Sequence, residues 1–159
     1  MTERSLAQLI ERGGVYHGIK GSNPRDFLTC LIQSLPEFPG LNQDALLRAF
    51  LEREALMPTV IGCGIAVPHP RSPLLGEGDP PFVALGFPVS PIDWNTQDSS
   101  MVHAVFLLVS VSAQQHLAAL SKINFLCQQE KIQSLVAAQA SGEKIISTVR
   151  QAEKAWAEK

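Results

Sequence analysis

Charge of either sign is sparse in this chain. Over 159 residues the formal net charge is -2, 18% of positions are charged, and the basic ones are scattered. A nucleic-acid binder gathers lysine and arginine into a patch or stripe, so no footprint for DNA or RNA is present. Long hydrophobic runs are missing as well. The richest, Val102 to Val111, is strand-sized and contains His103, far short of the ~20 apolar residues that cross a bilayer. The N-terminus, MTERSLAQLIERGG, carries charges where a signal peptide has its apolar stretch, so a cytoplasmic chain without membrane insertion is expected. Cysteine is scarce too. Cys30, Cys63 and Cys127 are odd in number, widely spaced and set among apolar residues, which argues against a disulfide framework and for reduced, mostly buried thiols. There is no P-loop, G-x-S-x-G turn or dinucleotide fingerprint. A zinc site built from His69, His103, His116 and Asp98 would have to form without HxxxH or CxxC spacing, so no metal or cofactor is expected.

What is present is a globular composition, 45% hydrophobic, in a length that suits a single domain over 1–159. A short helix is expected around Ser5 to Glu11, broken by Gly13-Gly14 before a strand at Val15 and Tyr16. Ser22, Asn23 and Pro24 start a helix with proline at its first position. Phe27, Leu28, Leu31, Ile32 and Leu35 give it an apolar stripe, and Pro36 ends it. A second helix from about Asn42 buries Leu46, Leu47, Phe50 and Leu51. Arg53 follows Leu46 and Phe50 at helical spacing, on the edge of the inward face. Extended patterns follow at Val60 to Ile61, Ile65 to Val67 and Phe82 to Phe87. RSPLLGEGDPP, between His69 and Phe82, reads as a loop. Val102 to Val111 is the expected central strand, buried on both faces. Helices from Ser112 to about Gln129, Ile132 to Ala138 and Gly142 to Trp156 complete an α/β fold, a single mixed β-sheet flanked by helices on both faces.

Among the polar residues His69 stands out, because Pro68 and Pro70 flank it. Proline fixes its own φ and pushes the preceding residue out of the helical region, so Val67 and His69 should be extended and the imidazole aimed in one direction. Such a histidine suits proton or phosphoryl transfer. His116 lies in the first turn of its helix, where free N–H groups attract an anion and favour a neutral imidazole able to donate a hydrogen bond. Arg53, with a planar donor fork at a helix end, is matched to a phosphoryl group. His17, in a glycine-flanked turn, and His103, within the central strand, read as structural, and Asp98 as the end of a turn.

Three blocks then resemble a known family. LEREALMPTVIGCGIAVPH, from Leu51 to His69, has its arginine-glutamate start and its glycine turn with an A-x-P-H end. PIDWNTQDSSMVHAVFLLVS, from Pro91 to Ser110, is similar to its turn-aspartate-strand block, and HLAALSKINFL, from His116 to Leu126, to its H-L-x-x-L-S helix. The chain resembles the type-2 EIIA domain of the phosphoenolpyruvate-dependent phosphotransferase system, the group holding fructose- and mannitol-specific EIIA and nitrogen-regulatory EIIA. That resemblance implies a phosphotransferase-system phosphoryl transfer through a phosphohistidine at His69, taken from HPr or its nitrogen-branch relative, with His116 and Arg53 as the other active-site residues. The turn at Ser99 and Met101 departs from the family's glycine and proline, and Pro70 with its long loop replaces a small residue after the histidine.

Three readings remain open on the sequence. The first is a free-standing regulatory (nitrogen-type) EIIA, since no EIIB or EIIC segment or linker is seen. The second is a sugar-specific EIIA that passes its phosphate to an EIIB. The third is an unphosphorylated binding module, with Pro70 and its loop blocking the carrier from His69 and a regulated target protein as its partner. The sequence leaves homodimerisation undecided.

Overall fold

Ser5 ends its extended approach to the first helix by accepting a hydrogen bond from the Gln8 N–H, while the Gln8 side chain returns to the Ser5 N–H. This reciprocal cap satisfies two donors that a helix start leaves free. It opens the chain in a computed structural model that describes residues 5–76 and 78–157. Met1 to Arg4 of the N-terminal stretch, and Glu77 of the expected loop, lie outside the described residues.

The helices are α1 (Leu6–Gly13), α2 (Pro24–Ser34), α3 (Gln43–Leu56), α4 (Ala113–Cys127), α5 (Glu130–Ala137) and α6 (Gly142–Ala157). The strands are β1 (Val15–Ile19), β2 (Val60–Gly62), β3 (Ile65–Ala66), β4 (Phe82–Pro88), β5 (Ile92–Asp93), β6 (Met101–Val102) and β7 (Ala104–Val109). Asn23, Asn42 and Ser112 cap α2, α3 and α4 with their side-chain oxygens, the short polar residues that suit that position. Five strands form one mixed sheet in the order β1-β4-β7-β3-β2. β1 with β4 and β3 with β7 pair in parallel, while β4 with β7 and β2 with β3 pair antiparallel.

Alternation along the strands divides the interior into two cores. Val83, Leu85, Phe87, Phe106 and Leu108 face α1, α4, α5 and α6 on one side. Phe82, Ala84, Val105, Leu107 and Val109 face α2 and α3 on the other. The expected α/β architecture, a mixed sheet with helices on both faces, is therefore what forms. One strand differs. The stretch expected to run unbroken from Val102 to Val111 is interrupted at His103: β7 begins at Ala104, and β6 pairs with β5 in a separate two-stranded ribbon. The His103 N–H donates to the Gly64 carbonyl at 2.8 Å and its Nε2–H to the Cys63 carbonyl at 3.0 Å. The chain bends there to satisfy the tight turn at Gly62, Cys63 and Gly64, all at positive φ. An apolar count could not register that turn.

Candidate active site

The segment carrying His69 leaves β3 and runs beside β7. The Val67 N–H donates to the Thr59 carbonyl at 2.9 Å, and the Leu108 N–H to the Pro68 carbonyl at 3.0 Å. Pro68 and Pro70 are buried and His69 between them is half-buried, so the two prolines lock the backbone while the ring stays within reach of solvent. His69 Nδ1 lies 2.8 Å from the Val67 carbonyl. A carbonyl only accepts, so Nδ1 carries the proton and Nε2 is left with its lone pair. Burial lowers the pKa of His69. The Val67 carbonyl opposes that, Arg53 lowers it further, and Glu54 raises it. The net direction favours the neutral ring.

His116 meets it from α4. The two imidazole centroids are 4.7 Å apart, with their planes at 55°. His116 is the fourth residue of α4, and its backbone N–H already donates to the Ser112 carbonyl at 3.0 Å. Its pKa is lowered, first by burial and then by the nearby His69 and Arg53. A neutral imidazole is thus favoured as expected, but by burial and neighbouring positive charge. His116 Nδ1 lies 3.3 Å from the hydroxyl of Ser110, which is buried at the end of β7.

Arg53 lies half-buried in the last turn of α3. Its Nη1 donates to the Met57 carbonyl at 2.8 Å, just past the helix end, and its charge acts on both imidazoles. The three residues singled out from the sequence therefore come from three separate parts of the fold to one place. The other polar candidates do not join them. His103 is tied to the Cys63 carbonyl, and His17 donates to the Ala140 carbonyl and stacks on Phe87 at a centroid distance of 5.0 Å. Asp98 accepts from the hydroxyls of Thr96 and Ser100 within its own turn, and these two bonds hold its carboxyl below the usual range. Among the described residues no group of three or more His, Cys, Asp or Glu side chains is placed to hold a metal ion.

Sequence reasoning passed over Glu54 and Ser110. The Glu54 carboxylate accepts from the Trp94 indole at 2.6 Å, the Thr59 N–H at 2.9 Å and the Thr59 hydroxyl at 2.8 Å. Through Thr59 and Val67 it is linked by consecutive hydrogen bonds to His69. Its partner Trp94 is 40 positions away, and nothing local in the sequence announces such a pairing. Ser110 could have been noticed as the first polar residue after a run of buried apolar ones. The loop after His69 packs partly against the body of the fold. Pro70 turns inward, and Leu75 is buried with its N–H donating to the Ser110 carbonyl at 3.4 Å. Arg71, Ser72 and Pro73 then line a small cleft that Ser110, Ala113 and His116 close from the other side.

Known proteins resemble this chain in sequence and in fold. A nitrogen regulatory protein of Bradyrhizobium diazoefficiens is 28% identical over 91% of this chain and 94% of its own length. The fructose-specific EIIABC component of Bacillus subtilis is 26% identical over 94% of this chain, which spans only 24% of that longer protein. Among solved structures, nitrogen regulatory protein IIA-Ntr from Neisseria meningitidis matches the fold with a TM-score of 0.76, at 18% identity, over 90% of this chain and 97% of the other. The family described as "Phosphoenolpyruvate-dependent sugar phosphotransferase system, EIIA 2" matches residues 8–152, nearly all of the two-core fold and every residue of the site, and to that family the chain belongs.

Proposed function

We propose that this chain is a phosphocarrier that accepts a phosphoryl group on Nε2 of His69 from a phosphohistidine of an HPr-like carrier protein. The observation that carries the reading is the hydrogen bond from His69 Nδ1–H to the Val67 carbonyl, since it leaves the Nε2 lone pair free and aimed. In the transfer, that lone pair forms a new N–P bond as the donor's N–P bond breaks, and the released electron pair stays on the donor imidazole. A loose phosphoryl transition state needs alignment and compensation of charge on its equatorial oxygens more than covalent help. Arg53 supplies the positive charge and His116 a hydrogen-bond donor. The half-exposed ring of His69 supports approach by the carrier. Exposed Leu117 beside His116, and exposed Leu56 and Met57 beyond Arg53, offer it an apolar rim.

Of the two branches of the family, the nitrogen-regulatory one is favoured by the Bradyrhizobium protein, which aligns along 94% of its own length. In that branch the phosphorylation state of His69 is the signal read by a target protein. The sugar-specific reading, in which His69 passes its phosphate to an EIIB, draws on the Bacillus relative, whose name joins A, B and C components.

Incubation with phosphoenolpyruvate and purified upstream carriers is expected to add one acid-labile, alkali-stable phosphoryl group. His69→Ala should abolish the label. Label persisting in that variant would overturn the assignment. Adding purified EIIB proteins separates the branches, because rapid loss of the label to one of them would replace the regulatory reading by the sugar-specific one.

A further inference from the structure

We propose that Ser110 is a positioning residue that fixes the tautomer of His116, a role that rests on the phosphocarrier reading above. Ser110 directly follows Val109, the last residue of β7, and is 3% exposed. Two residues earlier the Leu108 N–H donates to the Pro68 carbonyl, so the strand that leads into Ser110 also holds the segment that carries His69. Among the described residues the hydroxyl has a single hydrogen-bond partner, His116 Nδ1 at 3.3 Å.

That isolation decides the direction of the bond. If His116 carried its proton on Nδ1 and donated to the serine, the hydroxyl hydrogen would have no acceptor among the described residues and would turn toward the cleft, the less favourable arrangement. If instead the hydroxyl donates to Nδ1, both groups are satisfied and the imidazole proton moves to Nε2. His116 then faces the space beside His69 with an N–H. His69 is held in the opposite sense, since the Val67 carbonyl takes its Nδ1 proton. One ring thus offers a lone pair and the other a donor, which makes His69 the nucleophile and His116 the group that binds a phosphoryl oxygen.

The test uses the full-length protein with 15N-labelled histidine. Long-range 1H–15N spectra of the wild type at pH 8 are expected to show His116 as the Nε2–H tautomer. In Ser110→Ala they should show a mixture or the Nδ1–H form. Ser110→Thr, which keeps the hydroxyl, should retain the wild-type tautomer. Transfer from the phosphorylated carrier should slow about three- to tenfold in kcat for Ser110→Ala, with KM for the carrier little changed. A wild-type His116 protonated on Nδ1, or an unaltered tautomer in Ser110→Ala while His69 labels normally, would overturn the role of Ser110 alone. Absence of label on wild-type His69 would overturn the phosphocarrier reading and, with it, the purpose given to Ser110.

Discussion

Removing the carboxylate of Glu54 should destabilise this protein more than any other single change on the α2–α3 side of the sheet that leaves the apolar core intact. Three donors converge on it: the Trp94 indole, the Thr59 N–H and the Thr59 hydroxyl. Trp94 is 1% exposed and Thr59 6%, while the half-buried Glu54 borders a cleft, so water replaces the carboxylate only in part. Each hydrogen bond to a charged group contributes about 1.5–3 kcal/mol, and each buried donor left unpaired costs about 1–3 kcal/mol. The three share one acceptor group, so their contributions do not add. With the two donor residues buried, Glu54→Ala should cost about 2–5 kcal/mol in total, a large part of the ~5–15 kcal/mol typical of a domain. Glu54→Gln keeps one acceptor oxygen and can donate to the Thr59 hydroxyl, so it should cost about 1–2 kcal/mol. Urea titration followed by tryptophan fluorescence should show lower midpoints at an unchanged slope, and the Ala variant should melt about 5–15 °C earlier. An Ala variant within about 1 kcal/mol of wild type would refute the reasoning.

The remaining expectations are briefer. His69 and His116 both have pKa values below the ordinary histidine range, so the unfolded chain takes up protons first as pH falls. The stability they contribute is complete above about pH 6.5 and is lost progressively from there down through their folded values, so urea midpoints should drop on acidification, and less steeply in a His69→Ala, His116→Ala double variant. Cys63 is exposed, whereas the thiol of Cys127 is pushed up to about 12 by burial and by Cys63; native-state titration with a thiol reagent should modify Cys63 quickly and Cys127 only on unfolding. Gly64 has φ +74, and a Cβ there would lie 2.3 Å from the His103 ring, so Gly64→Ala should lower stability by at least about 1–2 kcal/mol in the same urea assay. His116→Ala should slow quench-flow transfer to His69 by roughly ten- to a hundredfold while carrier affinity changes little, and a wild-type rate would remove its role.

Local chemistry made most of the fold legible. Ser5, Asn23, Asn42 and Ser112 cap the helices they were expected to start near, because a capping side chain acts within three residues of itself. The continuous valine and leucine run of β7 announced a strand covered on both faces, and it lies at the centre of the sheet. What escaped was set by distant partners. His103 leaves the strand to bond Gly64 and Cys63, some 40 positions earlier, and the β5–β6 ribbon is only two residues long on each side. So short a pairing carries no periodicity to read.

The same division runs through the site. The prolines beside His69 made its backbone readable, since their effect is confined to adjacent residues. The orientation of its ring depends on a longer line of contacts. Trp94 and Thr59 hold Glu54, the Thr59 carbonyl takes the Val67 N–H, and the Val67 carbonyl takes the Nδ1 proton of His69. Every member except the carboxylate and the indole acts through backbone atoms at its last step, and backbone atoms are the same for any sequence. Side-chain identity therefore marks where the proposed reactive ring is, and the hydrogen-bonded frame decides which of its nitrogens keeps its lone pair. On the opposite ring a single serine hydroxyl performs that office. The two imidazoles are alike in chemistry and 4.7 Å apart; in the proposed transfer the different groups held at their Nδ1 atoms, a carbonyl for one and a hydroxyl for the other, set the proposed acceptor of the phosphoryl group apart from its proposed binder.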